Sequence, residues 1–268
     1  MKRPLCRTVL IILACLWTAG VAGARAACLP GAAETVTIAA VNDRMELVTD
    51  KGTLLRLDGV ENLALDPDAD DALYDVTESL REWLVGTTVL MRRVTPSPDR
   101  WQRLDAEIFA PSADNGDVQS VALRLVAAGK LRVAPEAGET ACLADLLAAE
   151  AMARAEKRGI WTDAIFGPLS ADNRDALSAK LGKFVIVEGD VVGTGESRTR
   201  LYLNFGASRW RDLAVTILRR DEKAFEKAGI SLKSLAGARL RIRGILGQFY
   251  GPEIEITTPA AVEIVAKP

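Results

Sequence analysis

The chain has 268 residues, with 34 lysines and arginines against 36 aspartates and glutamates, a net charge of −2, and no histidine. Its 49% hydrophobic and 26% charged residues are globular composition, which excludes a disordered or fibrous chain, and the length suffices for two hydrophobic cores. Without histidine, a Ser-His-Asp triad, a Cys-His pair and any histidine-ligated zinc site are excluded. Catalysis here has to use carboxylates, arginines, lysines or hydroxyls, a set that suits phosphoryl chemistry assisted by a hard cation.

The first residues read as a secretory signal. MKRPLCR is basic, TVLIILACLWTAGVAGA is apolar, and Ala24-Arg25-Ala26 is a small-x-small cleavage site, so 1–26 are assigned to a signal peptide. A signal anchor is the alternative, disfavoured because the apolar run is short and its far end is rich in Ala and Gly. A lipoprotein anchor at Cys28 is disfavoured by Arg25, which stands where an aliphatic residue belongs. No later segment is long and apolar enough to span a membrane, so a periplasmic or secreted location is expected. Cys28 and Cys142 remain after cleavage, and in an oxidising compartment they most simply form one disulfide.

In 27–167, the segments VTIAAV, RMELVTD and TLLRLDGV predict three strands, with Asp50-Lys51-Gly52 as a hairpin turn. An acidic helix follows at about 68–85, then the strands TTVLMRRV and RLDAEIFA around the turn TPSPDRWQ. VQSVALRLVAAG and TACLADLLAAEAMARAEKRG carry apolar residues at helical spacing and close on Gly129 and Gly159. Five strands with helical cover predict a small β-barrel. In 168–268, KFVIVEGDVV, RTRLYLNFG, RDLAVTILR, a helix at about 221–228, ARLRIRGIL and EIEITTPAAVEIV give a strand order compatible with a second barrel of the OB type. Another small β-sandwich is the alternative. The expected fold is therefore mainly β with α, two five-stranded OB-type barrels, the first with C-terminal helices.

Charge separates the halves. Residues 27–167 hold 14 basic against 24 acidic side chains, a net of −10, and 168–268 hold 16 against 12, a net of +4. A polyanion is repelled by the first and attracted by the second. Part of the basic charge could equally dock on the acidic half.

RLDGVENLAL (56–65) resembles the Arg-Leu-x-Gly-Ile-Asp-x-Pro-Glu segment of the staphylococcal nuclease (thermonuclease) family, and DRWQRLDAEIF (99–109) resembles its Asp-[Lys/Arg]-Tyr-Gly-Arg-x-Leu-Ala strand entry. LVAAGKLRV and LAAEAMARAEKRGIW continue the resemblance, which covers 34–163 in the family's order. It implies a barrel in which calcium and two arginines hold a phosphodiester while a glutamate activates water. Carried over, Arg56 and Arg103 are the two arginines, whose planar forks suit a phosphate. Asp43 and Glu61 fall at the calcium-ligand positions, with oxygen donors of the kind calcium prefers.

The departures are equally specific. Ala64 occupies the general-base position, Leu63 replaces the proline, and Val41 and Arg44 replace the first aspartate and the threonine of the metal turn. Losing a general base alone removes roughly 10²- to 10⁴-fold of rate. KLRVAPEAGE lacks the family's stacking tyrosines, leaving Trp101 as the aromatic near the site. A structural reading stands beside each role: Arg56 as an ion-pair partner of Glu61 or Asp43, Arg103 as the start of an ordinary strand, and the Asp66, Asp68, Asp70 and Asp71 cluster as a helix cap rather than a displaced base.

In the second half, Arg239, Arg241 and Arg243 alternate on one strand face, with Tyr202, Phe205, Trp210, Phe249 and Tyr250 in neighbouring segments. Basic residues beside aromatics are how barrel faces hold single strands, so these arginines and Trp101 are candidate nucleic-acid contacts; a solvated strand face with core aromatics is the alternative. Three functions are expected in order: a degenerate nuclease binding nucleic acid or another phosphate ligand, a calcium-dependent phosphodiesterase with a displaced carboxylate, and an envelope module with a protein partner.

Overall fold

The computed structural model describes residues 28–112, 116–135 and 142–267, so the expected signal peptide lies outside the described residues. The first half begins with β1 (Glu34–Val41), β2 (Leu47–Thr49) and β3 (Leu54–Leu57), the last two joined through Gly52, whose φ of +78° is the backbone state a tight hairpin needs. Helix α1 (Asp70–Leu84) follows, then β4 (Thr88–Arg93) and β5 (Arg103–Pro111). β1 pairs antiparallel with β2 and β4, β4 with β5, and β5 closes onto β3 in parallel with Arg56 opposite Asp105. The result is a closed five-stranded barrel of OB type, as expected for this half. Its core is built from inward residues such as Ile38, Leu47, Leu55, Leu104 and Ile108, and α1 covers it with Val76, Leu80 and Leu84.

VQSVALRLVAAG, expected to be helical throughout, divides. Val118–Ser120 forms β6 on the edge of β5, and α2 (Val121–Ala127) begins only after Ser120, whose hydroxyl accepts from the Leu123 N–H at 3.2 Å. A serine cap fixes the helix start, so the residues before it are free to pair as strand. Helix α3 (Leu143–Ala155) packs beside α2. Gly129 and Gly159 mark where they end because the two chains touch there: a Cβ on Gly159 would lie 2.3 Å from the Gly129 carbonyl, and both glycines have positive φ. Cys28 and Cys142 are disulfide-bonded, tying the start of the described chain to the beginning of α3.

The second half contains β7 (Leu169–Ser170), α4 (Arg174–Ala179), β8 (Phe184–Asp190), β9 (Gly193–Glu196), β10 (Arg200–Asn204), β11 (Ala214–Leu218), α5 (Glu222–Lys227), β12 (Arg239–Gln248), β13 (Pro252–Glu255) and β14 (Val262–Ala266). Here the expectation of a second closed barrel is corrected. The strands form an open sheet in the order β7-β8-β12-β13-β11-β10-β9, with β14 beside β12. The cause lies in KFVIVEGDVVGTGE, which breaks at Val191 and Val192. Val191 donates to Ala238 and Val192 to Asn204, so β8 continues along β12 while β9 turns to β10, and no ladder joins β8 to β9. The stretch EIEITTPAAVEIV also divides, because Thr258 caps a 3-10 turn at Pro259–Ala261 between β13 and β14. Among the described residues, no helix is long and apolar enough to cross a membrane.

Buried charges tie the halves together. Arg243 of β12 and Glu150 of α3 are each about 1% exposed, and Arg243 Nη1 donates to Glu150 Oε2 at 2.9 Å. They also hold the Val133 peptide from both sides, Glu150 accepting its N–H at 2.7 Å and Arg243 donating to its carbonyl at 3.0 Å. Arg243 meets Glu263 of β14 as well. Glu150→Gln is therefore expected to destabilise the protein by about 2–3 kcal/mol, less than a fully orphaned buried charge because Glu263 remains. Urea unfolding at neutral pH measures this, and an unchanged midpoint would mean that the clamp contributes nothing. Cys28→Ser with Cys142→Ser is expected to cost about 2–4 kcal/mol by releasing a long loop in the unfolded chain, read as a lower melting temperature that reductant no longer shifts.

Candidate functional site

The residues marked by the thermonuclease resemblance lie on the outer face of the barrel at β3 and β5. Arg56 stands opposite Asp105 in the parallel ladder, and its Nε donates to Asp105 Oδ1 at 2.5 Å. Arg103, two residues before Asp105 on the same face, is held by Asp99 through Nε at 2.9 Å and Nη2 at 2.7 Å. Its third nitrogen, Nη1, reaches Glu46 at 3.3 Å. Trp101 is 56% exposed and lies between two guanidinium groups, Arg100 at 3.9 Å and Arg103 at 4.7 Å from its ring centre. The two arginines are thus brought together on neighbouring strands, each neutralised by an adjacent carboxylate.

The carboxylates expected to bind calcium do not join them. The Asp43 side chain is 97% exposed and pairs with Arg81 of α1 at 2.6 Å. Glu61 is buried, and both of its oxygens accept from Arg132, whose Nη2 lies 2.6 Å from Oε2 and whose backbone N–H also donates to Oε1. Arg132 reaches on to the carbonyls of Phe166 and Phe184. A calcium ion needs several convergent, unengaged oxygens. Asp43 and Glu61 do not supply them, and among the described residues no group of three or more His, Cys, Asp or Glu is arranged to hold a metal.

Sequence reading missed Glu46, the carboxylate that does point into this face. The reason is local: Asn42 folds the turn by accepting from the N–H groups of Arg44 and Glu46, with Met45 at φ +60°, which swings Asp43 outward and Glu46 inward. Asn42 Nδ2 then donates to Glu46 Oε2 at 2.8 Å. Asp66 and Asp68 do not cap α1, whose N-cap is Ala69 without a side-chain bond. Lys183 from the second half pairs with both, at 2.9 Å to Asp66, and Lys180 lies 3.2 Å from Asp68. The Lys183 bond, followed by that of Lys180, holds the Asp68 carboxyl below its usual range. Ala64 sits in a 3-10 turn capped by Asn62. A small cavity of about 120 Å³ lies here, with Arg56, Glu61 and Asn62 on one side and Gly182, Phe184 and Ile245 of the second half on the other.

On β12, Arg239, Arg241 and Arg243 do share one strand face, but each is engaged: Arg239 with Asp190, Arg241 with Glu188 and Glu263, and Arg243 in the interior clamp. Burial works to raise the Glu263 carboxyl, yet Arg243 and Arg241 beside it hold it below its ordinary value. The aromatics lie elsewhere. The loop between β10 and β11 presents Arg209, Trp210 and Arg211, and the turn between β12 and β13 presents Phe249 and Tyr250. Arg209, Phe249 and Tyr250 line a groove of about 550 Å³ together with Tyr202 and Asn204 of β10 and Glu253 of β13, and Trp210 stands at its edge against Tyr250. Trp210 and Phe249 each meet Tyr250 edge to face, at 4.8 and 4.7 Å between ring centres, and Arg209 lies over both Trp210 and Tyr250. Phe205, in contrast, is in the core.

No protein-family model matches the chain, and no curated protein matches it in sequence. What stands is a five-stranded mixed barrel followed by helices and a second sheet.

The Asp99 carboxyl is lowered to about 2, first by its bond to Arg103 and then, against burial, by the backbone N–H groups of Arg103 and Trp101. A depressed carboxyl contributes stability that is complete above its ordinary value of 3.8 and is lost as pH falls toward about 2. Arg103→Ala is expected to return the Asp99 titration most of the way toward 3.8, followed by NMR of its carboxyl carbon. A midpoint unchanged in that variant would show that the backbone bonds alone set it.

Proposed function

We propose that the protein is an exported binding protein built on a thermonuclease-like barrel, which holds nucleic acid or another phosphate-bearing ligand without hydrolysing it. The observation that carries this reading is the engagement of the phosphate-clamp arginines: Arg56 is taken by Asp105, and Arg103 by Asp99 and Glu46. Three further features support it. Ala64 offers no proton acceptor at the base position, Glu61 is committed to Arg132, and Phe184 and Ile245 stand against the same face. The Cys28–Cys142 disulfide agrees with an oxidising location outside the cytoplasm.

Hydrolysis needs more than one restored group on this reading. Purified mature protein incubated with a labelled single-stranded oligonucleotide is expected to leave it intact with calcium and with chelator, and Ala64→Glu is expected to do the same. Calcium-dependent cutting that disappears in Arg103→Ala would overturn the proposal in favour of an active phosphodiesterase. Folded protein that neither cuts the oligonucleotide nor retains it at low salt would favour an envelope module with a protein partner.

A further inference from the structure

We propose that the groove between β10, β11 and β13 is the ligand site and that its ligand is single-stranded nucleic acid, the bases stacking on Trp210, Phe249 and Tyr250 and the phosphates meeting Arg198, Arg209 and Arg211. This rests on the binding reading above and places the site away from both the barrel face and the β12 arginines.

The aromatics are the first reason. Trp210 is 60% exposed, Phe249 73% and Tyr250 47%, a concentration of apolar rings that a solvated surface does not favour. They pack on one another instead, Trp210 and Phe249 each edge to face with Tyr250. An edge-to-face contact covers a face of only one of its two rings, so the exposed rings keep faces on which a base can stack. Gly251 allows the arrangement: it is buried against the other loop, and a Cβ there would lie 3.0 Å from the Arg209 carbonyl. Any side chain at 251 would push apart the loops that bring Tyr250 onto Trp210.

The distribution of ion pairs is the second reason. In the second half Arg174, Arg200, Arg219, Arg220, Arg239, Arg241 and Arg243 all have carboxylate partners. Arg198 and Arg209 have none among the described residues, Arg211 has only the longer-range attraction of its neighbour Asp212, and all three are exposed. Arg209 and Arg211 flank Trp210, and Arg198 precedes Thr199 on the groove wall. The groove's own acids do not cancel them. Glu253 is held by Arg200 at 3.1 Å and by the Thr216 hydroxyl at 2.8 Å. Glu196 is held by Lys233 and Arg219, which keep its carboxyl below the usual range. The unpartnered charge lining the groove is Arg209, already stacked on the aromatic rings, with Arg198 and Arg211 next in sequence to groove-lining or cluster residues.

Unpaired strands fit this surface better than duplex. In a duplex both faces of each base are covered by neighbours, so rings can stack only at an end, whereas an unpaired strand presents every base. Backbone attraction alone would not distinguish the two forms.

The test is fluorescence anisotropy with labelled oligothymidylate, and with its duplex, against the full mature chain at several salt concentrations. The single strand is expected to bind more tightly than the duplex. Trp210→Ala and Phe249→Ala should each weaken it by roughly 5- to 100-fold, and Arg209→Ala should lower the salt slope by about 0.7. These side chains lie outside the core, so the unfolding midpoint should hold in each variant, and Lys51→Ala, exposed on the first barrel, serves as the charge control. Single-strand binding that is unchanged in both aromatic variants, or equal affinity for duplex, overturns the groove proposal and leaves the binding reading standing. Failure of the folded wild type to bind either form overturns the groove proposal and the nucleic-acid form of the binding reading.

Discussion

The Val133 peptide, gripped by Glu150 through its N–H and by Arg243 through its carbonyl, is the contact on which the arrangement of the two halves depends. An ion buried to this degree is tolerated only with a partner, and each member here finds its partner in the other half of the chain. A second buried pair, Arg132 with Glu61, lies on the same strip of chain and extends to the Phe166 and Phe184 carbonyls. Sliding the sheet over the barrel would part Glu150 from Arg243 and take the Phe184 carbonyl away from Arg132. A small apolar cluster of Ala153, Trp161 and Ile186 fills the space beside them. The apolar contacts favour association, and the charge pairs select its register.

That register accounts for the division of charge between the halves. The acidic segment Asp66 to Asp71 looks on sequence like a helix cap or a reserve of catalytic carboxylates, yet Asp66 and Asp68 face Lys180 and Lys183. Arg243 is spent in the same way on Glu150. Much of the attraction that the net charges promise for a polyanion is therefore consumed within the molecule. The docking also brings Phe184 and Ile245 against Arg56 and Glu61, so the barrel face that would take a phosphate is bordered by apolar side chains from the second half. A guanidinium already bonded to carboxylates can bind phosphate only by giving those bonds up, which weakens the barrel as a clamp without disturbing it as a fold.

The first barrel was legible because β3 and β4 alternate, its hairpin carries a glycine, and its helices stop at glycines whose backbones must touch. The disulfide was legible from counting cysteines. The site was legible only to the level of strand register. Arg56 and Arg103 lie side by side as the motif spacing implies, but spacing does not reveal which carboxylate faces them. Asp43 and Glu46 are three residues apart, and the positive φ of Met45 exchanges which one points inward. Closure of the second sheet was not legible either, since KFVIVEGDVVGTGE reads as continuous strand and its break at Val191 depends on bonds to Ala238 and Asn204, both remote in sequence. Arg239, Arg241 and Arg243 were assigned correctly to one face. What sequence could not supply was α3 packed against one end of that face.

Local alternation therefore predicts which side of a strand an arginine occupies, and tertiary pairing decides whether its charge is available. On β12 three arginines in alternation present little net charge, because Asp190, Glu188, Glu263 and Glu150 meet them. In the β10–β11 loop Arg209 and Arg211 have no such alternation and no ion-pair partner among the described residues. Loops carry fewer cross-strand neighbours, so a charge there is cancelled less often, and aromatic rings that find no core must pack on one another. Trp210, Phe249 and Tyr250 do so while Arg209 covers two of them. An aromatic cluster packed on itself without burial, beside cations with few carboxylate partners, combines the two attractions a stacked anion requires. The barrel face offers less of either, a single exposed ring, Trp101, against Arg100 and Arg103, with the latter held by Asp99 and Glu46.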